Sequence, residues 1–123
     1  MLGSSKIMAF AATQNPDRAR AFYRDILGLK LVGDDSFALV FDANGTMLRV
    51  QIVQEVTPYR YTTLGWQVLD IAAVASQLQS AGVQLERFEW FTQDELGIWT
   101  SPGGARVGWF KDPDGNLLSI TQF

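Results

Sequence analysis

Two stretches of this chain can be laid over one another, and the overlay restricts what the whole can fold into. Asn15 and Asp70 each stand before an apolar-periodic segment, and Gly28 and Gly82 each follow one. Further along, FDANGTMLRV (41–50) matches FKDPDGNLLSI (110–120), with Gly45 against Gly115 and the second turn one residue longer. A match of helix caps alone is common. A match of caps, element order and hairpin together signals an internal repeat, in which one supersecondary unit is used twice.

The elements can be read within that repeat. KIMAFAAT (6–13) is an apolar run short enough for a buried strand. Asn15 is a good N-cap, Pro16 suits the first helical position, and Asp17 complements the helix dipole. Ala19, Phe22, Tyr23 and Ile26 fall at i, i+3, i+4 and i+7, which predicts one buried helix face ended by Gly28. LKLV, FALVF and TMLRVQIV read as three strands, separated by Asp34-Asp35-Ser36 and by Asp42 to Gly45. QEVTPYRY (54–61) is polar with a proline and reads as a linker, in which Tyr59 and Tyr61 are expected to pin one module to the other. Beyond it come TTLGWQV as a strand, Asp70 capping a helix with Ile71, Val74, Ala75 and Leu78 on one face, and then Gly82. VQLERF, ARVGWF and LLSITQF complete the series as strands. The expectation is an α+β domain over 1–123: a βαβββ module at about 6–53, the linker 54–61, and a second βαβββ module at about 62–123.

Composition removes several function classes. The chain has no cysteine and no histidine, so it has no disulfide, no thiolate nucleophile and no Ser-His-Asp triad. It also lacks the imidazole and thiolate donors that supply most zinc, copper and non-haem iron sites. The net charge of −3 comes with scattered Lys and Arg, which leaves no electrostatic footprint for nucleic acid. No apolar run approaches the roughly 18 residues of a membrane span. MLGSSKIMAF lacks the apolar stretch of a secretory signal, so a cytoplasmic location is expected.

DRARAFYRDILG (17–28), with its Phe-Tyr and Leu-Gly, and the terminal DPDGN turn (112–116) resemble the vicinal oxygen chelate superfamily. That family includes glyoxalase I, extradiol dioxygenases, fosfomycin-modifying enzymes and bleomycin-binding resistance proteins. The resemblance runs over nearly the whole chain. It implies two βαβββ modules forming a cupped mixed β-sheet flanked by helices, with a cavity inside the cup and two chains paired as a homodimer. In metal-using members, the resemblance places ligands at positions that here hold Met8, Arg49, Thr63 and Ser119. A thioether, a cation and two hydroxyls do not suit a divalent ion, and a permanently charged guanidinium would repel one. No metal and no other cofactor is therefore expected.

The same faces supply candidates for binding. Arg49 offers a planar fork of donors for a carboxylate or phosphate, and Gln51 shares its face by strand alternation. Met8 and Phe10 share one face of the first strand; Thr63, Gly65 and Gln67 share one face of the fifth, leaving Leu64, Trp66 and Val68 to pack under the helix. Gly65 inside a strand marks a close approach by a ligand or another backbone. The long stretch from Phe88 to Gly104 carries Trp90, Phe91 and Trp99, which can stack a planar ligand, bury a dimer contact, or fold onto each other. Asp94 and Glu95 in it are the available acid–base pair.

Three readings stay open on the sequence. The first is a metal-independent protein that binds a small organic molecule, anionic or aromatic, through Arg49, Gln51, Met8, Phe10, Thr63, Gln67, Trp90, Trp99 and Ser119. The second is a glyoxalase- or dioxygenase-like enzyme with a non-standard or absent metal centre, its catalytic residues unassigned. The third is a degenerate domain serving protein association.

Overall fold

The computed structural model describes all 123 residues. The chain divides into two compact units, Met1–Thr57 and Pro58–Phe123. No helix is long and apolar enough to cross a membrane.

In the first unit, strand β1 (Met8–Thr13) leads into helix α1 (Pro16–Arg20). Thr13 Oγ1 donates to Asn15 O and accepts from Asn15 N–H, both at 3.0 Å. Asn15 then caps the helix by accepting from Arg18 N–H at 3.2 Å. The helix does not continue as α. Ala21–Ile26 winds as a π-helical segment, with Leu27 N–H donating to Phe22 O at 2.9 Å, and Gly28 at φ +76° ends it. This corrects the expected helix face. Ala19, Phe22 and Tyr23 are buried, but Ile26 is 38% exposed, because the wider i→i+5 winding rotates it off the stripe. Arg20 fastens the helix to the sheet by bonding Asp17 at 2.8 Å and Asp34 at 2.6 Å.

Strands β2 (Lys30–Asp34), β3 (Ala38–Ala43) and β4 (Thr46–Ile52) complete a four-stranded mixed sheet in the order β1-β4-β3-β2, with β1 parallel to β4. Asn44 (φ 51°) and Gly45 (φ 92°) make the two-residue β3–β4 turn, whose positive φ values fit the sheet's right-handed twist. One face of this sheet buries Leu39, Phe41, Leu48 and Val50. Tyr23 reaches it from the helix, its ring 5.7 Å from that of Phe41.

The second unit repeats the plan. Strand β5 (Leu64–Gln67) precedes helix α2 (Ile71–Ser80), which Asp70 caps through Ala73 N–H at 3.1 Å. Ile71, Ala75 and Leu78 are its buried face. Strands β6 (Trp99–Thr100), β7 (Arg106–Lys111) and β8 (Leu117–Gln122) give the order β5-β8-β7-β6, again with the first and last strands parallel. The DPDGN turn is built on the buried Asp112, whose carboxylate accepts from Asp114 N–H, Asn116 N–H and the Asn116 side-chain amide.

The strand expected at VQLERF does not form. The place beside β7 is taken by Trp99–Thr100, which pairs with Val107 and Arg106, while residues 83–88 contribute only Glu86 N–H to Trp109 O at 2.7 Å. The cause is a side chain. Gln93 accepts from Phe88 N–H and donates to Glu86 O and Gly97 O, each at 2.8 Å. These are groups a neighbouring strand would otherwise satisfy, so the segment completes its hydrogen bonding locally.

Candidate functional site

Strand register sorts the expected binding residues into two groups, each within one unit. In the first, Met8 lies opposite Met47, Phe10 opposite Arg49 and Ala12 opposite Gln51. Val40 flanks Arg49 on its other side. These residues occupy the sheet face turned away from the helix, and Met8, Phe10, Met47 and Val32 on or beside it are all exposed. An open cavity of about 390 Å³ is lined by Met8, Val32 and Met47, with Lys6 and Asp42 among its polar groups.

Arg49 is half-buried on this face, and no carboxylate pairs with it. Its charge is felt by Asp35, whose carboxyl is held below the usual value chiefly by the N–H groups of Phe37 and Ala38 and secondarily by Arg49. A half-buried guanidinium with its planar fork unused, beside apolar side chains, can accept a carboxylate, phosphate or sulfonate in two parallel hydrogen bonds.

The second unit treats the corresponding face differently. Thr63 donates its N–H and its hydroxyl to Leu117 O at 3.0 and 3.2 Å. Gly65 lies opposite Ser119, and Gln67 opposite Thr121. A Cβ on Gly65 would stand 2.6 Å from Ser119 Oγ, so the close approach at this glycine comes from the serine. Ser119 is only 8% exposed. Across from it is Trp109, at the centre of an aromatic cluster that folds the 88–99 loop onto the sheet. Phe91 stacks on Trp109 at 5.2 Å and on Trp99 at 4.4 Å, Phe88 meets Trp109 edge-on at 5.5 Å, and Trp109 Nε1–H donates to Thr62 Oγ1. Trp99 therefore has a ring face against Phe91. Trp90 is 74% exposed, although its ring lies 5.2 Å from that of Phe88 and 6.1 Å from that of Phe91.

Asp94 closes its own turn. Its carboxylate accepts from Leu96 N–H at 3.0 Å and Ile98 N–H at 2.8 Å, and Arg87 donates to the carbonyl of the exposed Glu95. Tyr59 and Tyr61 stack on one another at 5.2 Å within the second unit. Sequence reading missed Trp109. Strand alternation around Gly108 places it on the loop-facing side, and that was the available signal.

A family model for the glyoxalase/bleomycin resistance protein/dioxygenase superfamily matches residues 7–120. The chain belongs to that superfamily. No curated protein sequence matches it. Among solved structures it is similar to a member of the superfamily from Sphaerobacter thermophilus, at 21% identity and TM-score 0.79 with all of both chains covered. It is also similar to the genomically encoded fosfomycin resistance protein FosX from Listeria monocytogenes, at 14% identity, TM-score 0.78 and coverage of 98% and 93%. A lactoylglutathione lyase from Agrobacterium tumefaciens aligns at 19% identity and TM-score 0.75, covering 96% of this chain and 93% of that one. At these identities the likeness is one of fold, and the fold hosts several chemistries.

The superfamily implies a metal centre for some members, and the donors here do not fit one. The four positions hold Met8, Arg49, Thr63 and Ser119, which offer no carboxylate or imidazole. Thr63 already spends its hydroxyl proton on Leu117 O. No three His, Cys, Asp or Glu side chains are grouped so as to hold an ion.

Proposed function

We propose that this superfamily member binds a small organic anion on the open face of its first sheet, independently of a metal. The observation that supports this most is Arg49: half-buried, unpaired, and flanked by Phe10 and Val40. Strand neighbours two residues apart share a face about 7 Å apart. Met47 thus links the Arg49 position to the apolar cavity it lines with Met8 and Val32. An anion on Arg49 would extend its hydrocarbon part into that cavity, and Gln51, two residues the other way, would offer an amide.

The likeness to a fosfomycin resistance protein supports small-molecule handling by this fold. The competing reading, catalysis of glyoxalase type, draws on the likeness to a lactoylglutathione lyase. It requires a donor set that the four positions do not provide.

The test is calorimetric titration of wild type and Arg49→Gln with a panel of aliphatic and aromatic carboxylates and phosphonates, with and without chelator. A charge-assisted hydrogen bond lost from a half-buried site weakens binding about tenfold, or about 1.4 kcal/mol. Folding stability should stay within about 0.5 kcal/mol of wild type, because the change removes no packed core group. Equal binding by the variant would overturn the role of Arg49. Binding that appears only with an added divalent ion, and disappears with chelator, would restore the enzyme reading.

A further inference from the structure

A second cavity lies wholly within the second unit. It has a volume of about 440 Å³, and Tyr59, Arg60, Glu86, Phe88, Trp90 and Lys111 are among the residues that line it, with Pro58, Gly115 and Leu117. Its lining combines three aromatic rings with two cations and one carboxylate. Lys111 Nζ pairs with Glu86 at 3.2 Å, and Arg60 has no ion pair, so the lining carries one uncompensated positive charge.

The walls are held in place before any ligand arrives. Pro58 packs on the DPDGN turn so closely that a Cβ on Gly115 would stand 3.2 Å from Pro58 Cγ, which fixes the start of the segment carrying Tyr59 and Arg60. Phe88 is fixed on one side by Trp109, edge-on at 5.5 Å, and its N–H is taken by Gln93 at 2.8 Å. Trp90 follows on the turn closed by Phe91 N–H to Phe88 O, its ring 5.2 Å from that of Phe88. Yet Trp90 is 74% exposed and Tyr59 57% exposed. A hydrogen-bonded turn that presents a large bare ring to the same cavity as an unpaired guanidinium gives stacking area at low entropic cost.

We infer that this cavity is a second ligand site, taking a planar aromatic ring that bears one acidic group. The ring lies against Trp90 and Phe88, where flat π-faces stack in offset or tilted geometry. The acidic group meets Arg60, with Lys111 as a further donor. Glu86 disfavours dianions and holds Lys111 toward the pocket. The site uses no residue of the Arg49 face and stands or falls separately from it.

The experiment follows the four indole N–H signals by NMR while 2-naphthoate is added, with Trp90→Leu used to identify the Trp90 signal. The neutral 2-naphthol and the non-planar cyclohexanecarboxylate serve as controls. The Trp90 signal is expected to move with 2-naphthoate, Arg60→Gln to weaken that binding about tenfold, and both controls to bind about tenfold more weakly. Arg49→Gln should leave the titration of the Trp90 signal unchanged. Trp90 and Arg60 are exposed and Arg49 is half-buried, and retained dispersion in the amide spectrum verifies the fold of each variant. A stationary Trp90 signal, an unchanged affinity in Arg60→Gln, or loss of the Trp90 response in Arg49→Gln would each overturn the assignment. So would equal binding of 2-naphthol.

Discussion

The same row of three residues crosses both sheets, and the two units fill it in opposite ways. In the first unit the row reads Phe10, Arg49, Val40 from β1 through β4 to β3. In the second it reads Gly65, Ser119, Trp109 from β5 through β8 to β7. The central position is a cation in one and a small buried hydroxyl in the other. In the second unit the bulk has moved to β7, where Trp109 anchors a loop of aromatic rings, and Gly65 leaves room for Ser119 Oγ. In the first unit no such loop exists, because a two-residue turn joins β3 to β4 and Asp34 is followed by only three residues before β3. A repeated scaffold can thus leave one face open while closing the other with its own side chains.

The closure should depend most on Trp109. Trp109→Ala removes the ring that both Phe88 and Phe91 pack against, together with the bond to Thr62. Truncating a large buried aromatic costs about 3 to 5 kcal/mol, and the lower figure suits this half-buried ring. The expected result is a loss of about 3 kcal/mol in urea unfolding, with loss of the near-UV circular dichroism of the stack. A cost below about 1 kcal/mol would show that the loop is held from elsewhere, and the contrast between the two faces would weaken.

Gln93→Ala should cost less. It leaves Phe88 N–H, Glu86 O and Gly97 O without their partner. Partly exposed groups recover part of that loss from water, so about 2 kcal/mol is expected. Hydrogen exchange should then quicken at Phe88 N–H, while β7 and β8 keep their protection. Should the amide of Phe88 stay protected, the loop would not rest on this side chain.

Much of this architecture could be read in the sequence because it depends on residues close together in the chain. Asn15 and Asp70 as caps, Gly28 and Gly82 as helix ends, and Asn44-Gly45 as a tight turn are local choices of backbone. Strand alternation likewise put Met8 with Phe10 and Arg49 with Gln51, and the pairing of β1 with β4 brings the two pairs onto one face. The failures were non-local. VQLERF has strand-like composition, but Gln93 supplies its hydrogen bonds, and nothing within the six residues reveals that. Ile26 fits an α-helical stripe, and only the π winding takes it out. The Arg60 cavity needs Pro58 to rest on Gly115, a contact between residues far apart in the chain.

The smallest expected effect concerns the turns, where the units also differ. The β2–β3 turn of the first unit relies on Asp35, whose carboxylate accepts from Phe37 N–H at 2.7 Å and Ala38 N–H at 2.9 Å while exposed to solvent. The terminal turn of the second relies on Asp112, which is buried. The two N–H bonds, with a lesser contribution from Arg49, hold the Asp35 pKa below its ordinary 3.8. A carboxyl whose folded pKa is depressed adds stability that is fully present above the unfolded value and lost as the pH falls through the folded one. Asp35→Asn keeps an acceptor but removes the charge. Its urea midpoint should lie slightly below that of wild type from neutral pH down to about pH 4, and the two should converge in stronger acid. A gap that stays constant across the whole range would mean that ionisation of Asp35 contributes nothing, and the turn would then be held by geometry alone.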